Sequence, residues 1–412
     1  MAASDESSET VAVESVEVIV GTYEEFILGY KFAMDEEEEK YSLSMSFTNH
    51  SQSRSIRSIA SVDKYIAAGS ADESINLINL AARVEHGSLQ KQSGTITCLT
   101  EHEGSYLFSG CEDGTICIWK KGSWLCEKTL RAHIGGVTDI SVHPSGKLAL
   151  SVGKDRALKT WNLVKGRCGY VTNLKGIADA VKWSPEGDYY AISISNRVDV
   201  YSVQTAKVVY SIPVGKRISC MTFLNDNIIL IAGDKEEVEI HDIKSTKKLT
   251  EFPCHKVRVK AIQYVPEIKM LFTASNDGYI KVWSFEKNNF RKQPKLLTEI
   301  DTTCRITCMT VWLKLGKAEG ADAEEVEVED EQEEKIADDN EEDSNGENSE
   351  DQNEDDNASS TSSSEEEQKV TKKRKKIERP AETKTSNKPK VVIKEKRLSD
   401  SKQSKKTLRK GK

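Results

Sequence analysis

Seven short segments recur along this chain at nearly fixed spacing, and that recurrence limits the fold more than any other feature. They are Ile56-Arg57-Ser58-Ile59, Ile96-Thr97-Cys98-Leu99, Val137-Thr138-Asp139-Ile140, Ala178-Asp179-Ala180-Val181, Ile218-Ser219-Cys220-Met221, Val259-Lys260-Ala261-Ile262 and Ile306-Thr307-Cys308-Met309. Each starts on a β-branched or small residue, passes through polar or small ones, and usually ends on an apolar one. Their third positions lie 40, 41, 41, 40, 41 and 47 residues apart. The long interval contains the polar stretch 286–295, which reads as an inserted loop. A period of this length marks one supersecondary unit stacked on copies of itself, so most of the 412 residues belong to one domain.

Within a unit, the segment suits a strand crowded against its counterparts around a central channel. Small side chains such as Ser58, Cys98, Ala180, Cys220, Ala261 and Cys308 fit there. A second strand, a tight turn and a third strand follow. Residues 106–110, Glu112-Asp113-Gly114 and 116–119 are one example, and 270–274, Asn276-Asp277-Gly278 and 280–283 another. Alternating apolar residues around an Asp-Gly turn are a hairpin signal, since glycine reaches positive φ without a Cβ clash. After the seventh segment only a polar tail remains. The N-terminus supplies what is missing: runs 16–21, 26–32 and 41–47 read as strands without an innermost strand of their own. Joined to 306–312, which is expected in the neighbourhood of 26–32, they complete a seventh unit and leave no open sheet edge. The acidic stretch 35–39 reads as a solvated hairpin tip. The expected fold is an all-β, seven-bladed β-propeller closed by both chain ends.

Two units carry a polar quartet at one set of offsets. His133, Ser151, Asp155 and Trp161 stand at 0, 18, 22 and 28, and His255, Thr273, Asp277 and Trp283 repeat the pattern. His50 and Asp72 keep the 22-residue spacing, but Ala68 and Ile78 replace the other two members. Ser109, Asp113 and Trp119 lack the histidine, with Lys91 in its place. These residues resemble the WD-repeat family, in which such a quartet forms a buried hydrogen-bond network within a blade. A His-Ser-Asp trio also suggests a catalytic triad, but a triad occurs once and presents an exposed serine. A trio repeated with a tryptophan fits a structural network instead. The chain contains no phosphate-binding glycine loop, no HExxH and no GxSxG, and no enzyme activity, metal or cofactor is expected.

Charge separates the rest. Residues 319–367 hold 24 acidic side chains and one basic, and 368–412 hold 19 basic and four acidic. The two stretches together carry the whole net charge of −8, so residues 1–318 balance at 39 basic and 39 acidic. Boundaries are expected at 1–15 (disordered), 16–313 (ring), 314–367 (acidic, disordered) and 368–412 (basic, disordered). Blades are expected at about 55–95, 96–136, 137–176, 177–217, 218–257 and 258–305, with 306–313 plus 16–48 closing the ring. So charged a tail cannot bury enough apolar surface to order itself. Lys372-Lys373-Arg374-Lys375-Lys376 reads as a nuclear signal, and the lysines after it suit contact with rRNA phosphates. Ser349, Ser362, Ser363 and Ser364 precede acidic residues and are candidate phosphorylation sites. Nothing in the first 30 residues resembles a secretory signal, and no run nears the ~20 apolar residues of a membrane span. Nine scattered cysteines show no metal spacing and read as reduced thiols in a nuclear or cytosolic protein.

Arg217, Arg258 and Arg305 each stand immediately before an innermost segment in successive units, and Arg57 lies one residue further on. On a closed ring the first three form a basic arc at the channel mouth, fit for an acidic protein segment or RNA; ties to acids of neighbouring blades are the competing reading. The resemblance narrows further on Val18-Ile19-Val20-Gly21-Thr22-Tyr23-Glu24, Glu85-His86-Gly87, Ser93-Gly94-Thr95-Ile96-Thr97-Cys98-Leu99, the run from His143-Pro144-Ser145 to Val152-Gly153, and Thr160-Trp161-Asn162-Leu163-Val164. Over roughly residues 16–313 these are similar to the PAK-interacting WD-repeat family. Membership implies a nucleolar scaffold in pre-60S ribosomal particles and pre-rRNA processing. It also implies binding to the regulatory region of PAK kinases, restraining them. The alternative is a general nuclear adaptor for acidic segments or RNA with no kinase role. The ring is expected to be monomeric and to have no membrane partner.

Overall fold

The computed structural model describes residues 13–35, 40–286 and 289–315. Most of the expected acidic hairpin tip, the candidate nuclear signal and the candidate phosphorylation sites lie outside them. The described residues form 28 strands in seven four-stranded antiparallel sheets. In the first blade the order from inside outward is Ile56–Val62, Tyr65–Ser70, Ile75–Asn79 and Val84–Leu89. The innermost strands of the next five blades are Ile96–His102, Val137–Val142, Ala180–Trp183, Ile218–Asn225 and Val259–Val265. Each touches the next, and Ile306–Leu315 touches both Val259–Val265 and Ile56–Val62, which makes the circle complete. The chain is a seven-bladed β-propeller.

Closure comes from the two ends of the chain. Ile306–Leu315 pairs directly with Val13–Thr22, with Val18 opposite Val311 and Val20 opposite Met309. Ile27–Asp35 and Lys40–Asn49 follow outward, so the 26–32 run lies one strand further from the channel than Val13–Thr22. Alternation sends the side chains of Val13–Thr22 to opposite neighbours. Val16, Val18 and Val20 pack with Phe272, Ile280 and Val282 of the sixth blade, while Ile19 joins Ile56, Ile66, Ile78 and Trp312 against the first. Burying one such aliphatic side chain contributes roughly 1.5–3 kcal/mol, so this blade is held from both sides.

Adjacent blades are also stitched along the channel. Ser58 Oγ accepts from Leu99 N (2.9 Å), Asp139 Oδ2 from Val181 N (3.0 Å), Ser141 Oγ from Trp183 N (3.1 Å) and Gln263 Oε1 from Val311 N (3.0 Å). Short side chains on the innermost strand therefore do more than avoid crowding: several accept the next blade's backbone N–H. The turn after the second strand keeps positive φ with or without glycine, at Gly114 (87°) and Gly278 (94°) but also at Glu73 (74°) and Arg156 (59°).

In the third blade the quartet is complete. Trp161 Nε1 donates to Ser151 Oγ (2.9 Å), which lies 2.7 Å from His133 Nε2, and His133 Nδ1 lies 2.9 Å from Asp155 Oδ1. Burial lowers the pKa of His133 despite the adjacent Asp155. The neutral ring can then donate from Nδ1 and accept at Nε2, giving one directed chain from Trp161 to Asp155. In the sixth blade Trp283 Nε1 and His255 Nε2 meet Thr273 Oγ1 at 3.0 and 2.9 Å. His255 Nδ1, however, is buried without a partner, and Asp277 accepts from Tyr279 N instead. Its carboxylate is spent closing its own turn, so the expected second quartet is a trio.

The second blade uses a substitute. Gln92, not Lys91, occupies the histidine's place: Ser109 Oγ donates to Gln92 Oε1 (2.6 Å) and accepts from Trp119 Nε1 (2.9 Å). Likewise Gln52 donates to Ala68 O in the first blade, while His50 is exposed and stacks on Phe26.

Candidate functional site: the mouth of the channel

A register shift lies just inside the start of six innermost strands, between Ile56 and Ser58, Ile96 and Cys98, Val137 and Asp139, Ile218 and Cys220, Val259 and Ala261, and Ile306 and Cys308. The skipped residue is unpaired, and a bulge re-aims a side chain. Arg57, Thr97, Thr138, Ser219, Lys260 and Thr307 are those residues, and Asp179 holds the same place in the fourth blade. All seven line one cavity of about 450 Å³ at the channel mouth. The sequence points to the third positions as the channel wall, and of these second ones it singles out only Arg57. Their recurrence at the same spacing was the available signal.

The predicted arginines are there, but two are engaged. Arg217 Nη2 lies 2.9 Å from Asp179 Oδ1, and Arg258 reaches Asp234 through Nε and Nη2, the latter at 2.9 Å. Arg305 Nε donates to Asn276 Oδ1 (3.0 Å), and its guanidinium lies 5.1 Å from the Tyr23 ring centroid. Each of the three leans back on the preceding blade, but only Arg217 and Arg258 reach an acid there, as the competing reading had it; the blade partner of Arg305 is the neutral Asn276. The Arg217 side chain remains 59 % exposed, and so exposed an ion pair holds by about 0–1 kcal/mol, little enough to be exchanged for a partner's acid. Arg57 is exposed, and its side chain forms no hydrogen bond or ion pair with the described residues, although its charge helps to lower the pKa of Glu112.

The His133–Ser151–Asp155 trio cannot serve as a hydrolytic site where it stands. Ser151 is fully buried, its hydroxyl holds Trp161, and a nucleophile must meet its substrate. Cys111, Cys117 and Cys254 are poor nucleophiles where they stand: they are buried free thiols whose pKa burial pushes up to about 12, away from the reactive thiolate. Glu186, Asp188 and Asp226 approach one another, but Asp226 already accepts from Glu186 N at 3.1 Å.

Comparison with known proteins agrees with this architecture. The WD40 family (WD domain, G-beta repeat) matches residues 84–120, 124–162 and 246–284, stretches that end within one residue of Trp119, Trp161 and Trp283. A p21-activated protein kinase-interacting protein 1-like protein of Danio rerio is 43 % identical over 306 residues, covering 74 % of this chain and 82 % of the relative. The chain belongs to the p21-activated protein kinase-interacting protein 1 family. The human protein of that name is 36 % identical over 72 % of this chain and 77 % of its own length. A more distant relative, Shk1 kinase-binding protein 15 of Schizosaccharomyces pombe, is 29 % identical over 74 % of this chain and 87 % of its own. The alignments of the first and last span 306 and 316 residues, enough for a whole ring.

Proposed function

We propose that this family member is a non-catalytic scaffold that binds the regulatory region of p21-activated kinases at the channel mouth and restrains their activation. The observation that carries the reading is the length of the similarity: relatives named for kinase interaction or binding align over about three quarters of the chain. Exposed cations and apolar side chains on loops entering the innermost strands supply a surface of the right kind. Arg57, Arg217 and Arg305 are exposed, Arg258 is half-buried, and Ile134 and Tyr23 stand beside such loops at 85 % and 51 % exposure. The test is a pull-down of the purified kinase regulatory region with the full chain and with the triple variant Arg217→Gln, Arg258→Gln, Arg305→Gln. Capture should fall at least tenfold with little change in melting temperature, and addition of the native chain should slow kinase autophosphorylation. Unaltered capture by the folded triple variant removes the arc from the interface. Unaltered autophosphorylation removes the inhibitory role.

The charge-divided tail favours a second role, in nucleolar assembly of the large ribosomal subunit. Blocks of 24 acidic and 19 basic residues suit nuclear import and contact with rRNA. Co-sedimentation with pre-60S particles is the expected result. Depletion without a pre-rRNA processing defect would leave the general nuclear adaptor as the better description.

A further inference from the structure

The channel-mouth cavity has an electrostatic imbalance that the protein's own residues do not cancel. Arg57, Lys182, Arg217, Arg258 and Lys260 line it, together with Asp139 and Asp179. Lys182 lies 3.9 Å from Asp139, Arg217 is paired with Asp179, and Arg258 with Asp234 from just outside the lining. Arg57 and Lys260 are left over. Among the described residues the Lys260 side chain forms no hydrogen bond or ion pair, although the residue is half-buried and carries three ammonium donors. Burial first, then the guanidiniums of Arg258, Arg305 and Arg217, hold its pKa below the usual lysine range. Arg305 adds a third cation nearby: its side chain meets the neutral Asn276 and Tyr23, while the Glu24 carboxylate accepts from its backbone N at 3.0 Å.

An ammonium in that position is costly unless an anion joins it. The backbone nevertheless aims it there: Lys260 is the bulge residue of Val259–Val265, with Arg57 and Thr307 holding the equivalent places two and one blades further round the ring. We infer that the channel mouth is a phosphate-binding site, with Lys260 and Arg57 as its principal donors and Arg305 at its rim. Phosphate suits the charge count better than carboxylate. Two cations facing the cavity are unmatched; a phosphate monoester carries about −1.5 to −2 at neutral pH, a carboxylate only −1. Its three terminal oxygens can also take ammonium and guanidinium donors together. The group can arrive as a free small phosphate or on a phosphorylated side chain of a partner. This deepens the reading of the mouth as a docking face, yet the two fail separately: pull-down of the kinase region measures that reading, and phosphate titration of the free protein measures this one.

The experiment titrates the full-length chain calorimetrically with inorganic pyrophosphate, a phosphoserine peptide and the same peptide with glutamate, all at matched ionic strength. Saturable binding of pyrophosphate or the phosphopeptide is expected. It should weaken at least tenfold in Lys260→Gln and several-fold in Arg57→Gln, whose site is exposed and tolerant. The glutamate peptide should bind at least tenfold more weakly than its phosphorylated counterpart. Pyrophosphate binding alone assigns a free phosphate, and tighter peptide binding assigns a phosphorylated partner. In phosphate-free buffer Lys260→Gln should melt higher than the native chain, because it removes the uncompensated charge. Absence of saturable binding with either phosphate probe overturns the site. So does native-like affinity in both variants, glutamate binding as tight as phosphoserine, or a lower melting temperature for Lys260→Gln in phosphate-free buffer.

Discussion

At the scale of single residues, the hydroxyls of Ser151 and Thr273 are the hinges of their blades. Each joins a tryptophan indole to a histidine, but only His133 goes on to an aspartate. Ser151→Ala should therefore leave two buried polar atoms unpaired and cost about 2–3 kcal/mol in urea denaturation. Asp155→Ala should cost more than Asp277→Ala, which removes only a turn contact. Equal costs would show that Asp277 does hold His255 in solution. His255 also gives the ring a pH dependence. Its pKa, pushed down to about 4 by burial first and the Lys281 ammonium second, lies below the ordinary 6.5. As pH falls, the unfolded chain takes up the proton first. The contribution is thus complete above about pH 6.5 and lost progressively toward pH 4, by on the order of 3 kcal/mol. His255→Gln should flatten that part of the stability profile relative to the native chain. The quartets also show where the reading of single residues stopped: the spacing located His133 correctly but could not reveal that Gln92 does the same work 17 residues before Ser109. Nor could it show that Asp277 turns away.

At the scale of elements, the closing blade meets the first through apolar packing and an ion pair in which the carboxylate is buried and the arginine exposed. Arg83 binds Glu17 with both terminal nitrogens, and Glu17 is only 3 % exposed. A buried carboxylate left without its cation is costly, though the exposure of Arg83 lets water reach it, so Arg83→Met should cost about 1–3 kcal/mol, while the double variant Glu17→Met, Arg83→Met should recover much of it. A double variant no more stable than Arg83→Met would mean that the arginine acts through packing on Phe47, whose ring centroid lies 5.2 Å from its guanidinium. Neither this pair nor the identity of the acids that tie Arg217 and Arg258 was legible in the sequence. The partners stand 66, 38 and 24 residues away, at positions that only the neighbouring blade's turns and register bring close.

At the scale of the whole molecule, the ring depends on a strand donated from the other end of the chain. Deleting residues 1–22 should expose the edge of Ile306–Leu315 and leave Trp312 half-covered, giving a protein that aggregates and loses cooperative unfolding. A monomeric, cooperatively melting deletion product would mean that six blades are self-sufficient. Charge is divided on the same scale. The ring region is neutral and the basic stretch carries +15, so removing residues 368–412 should abolish salt-sensitive RNA binding and spare kinase capture.

The sequence by itself determined the number of blades, the participation of both chain ends and the neutrality of the ring, because each is written in local spacing or in composition. A blade is a contiguous antiparallel sheet, so its period survives even where its polar quartet has decayed. Tertiary structure alone decided which arginines are tied down, which residues replace the missing histidines, and that Lys260 faces the channel without a counterion. Those outcomes depend on atoms from neighbouring blades meeting at distances near 3 Å, and a one-residue bulge is enough to turn a side chain from the sheet toward the channel.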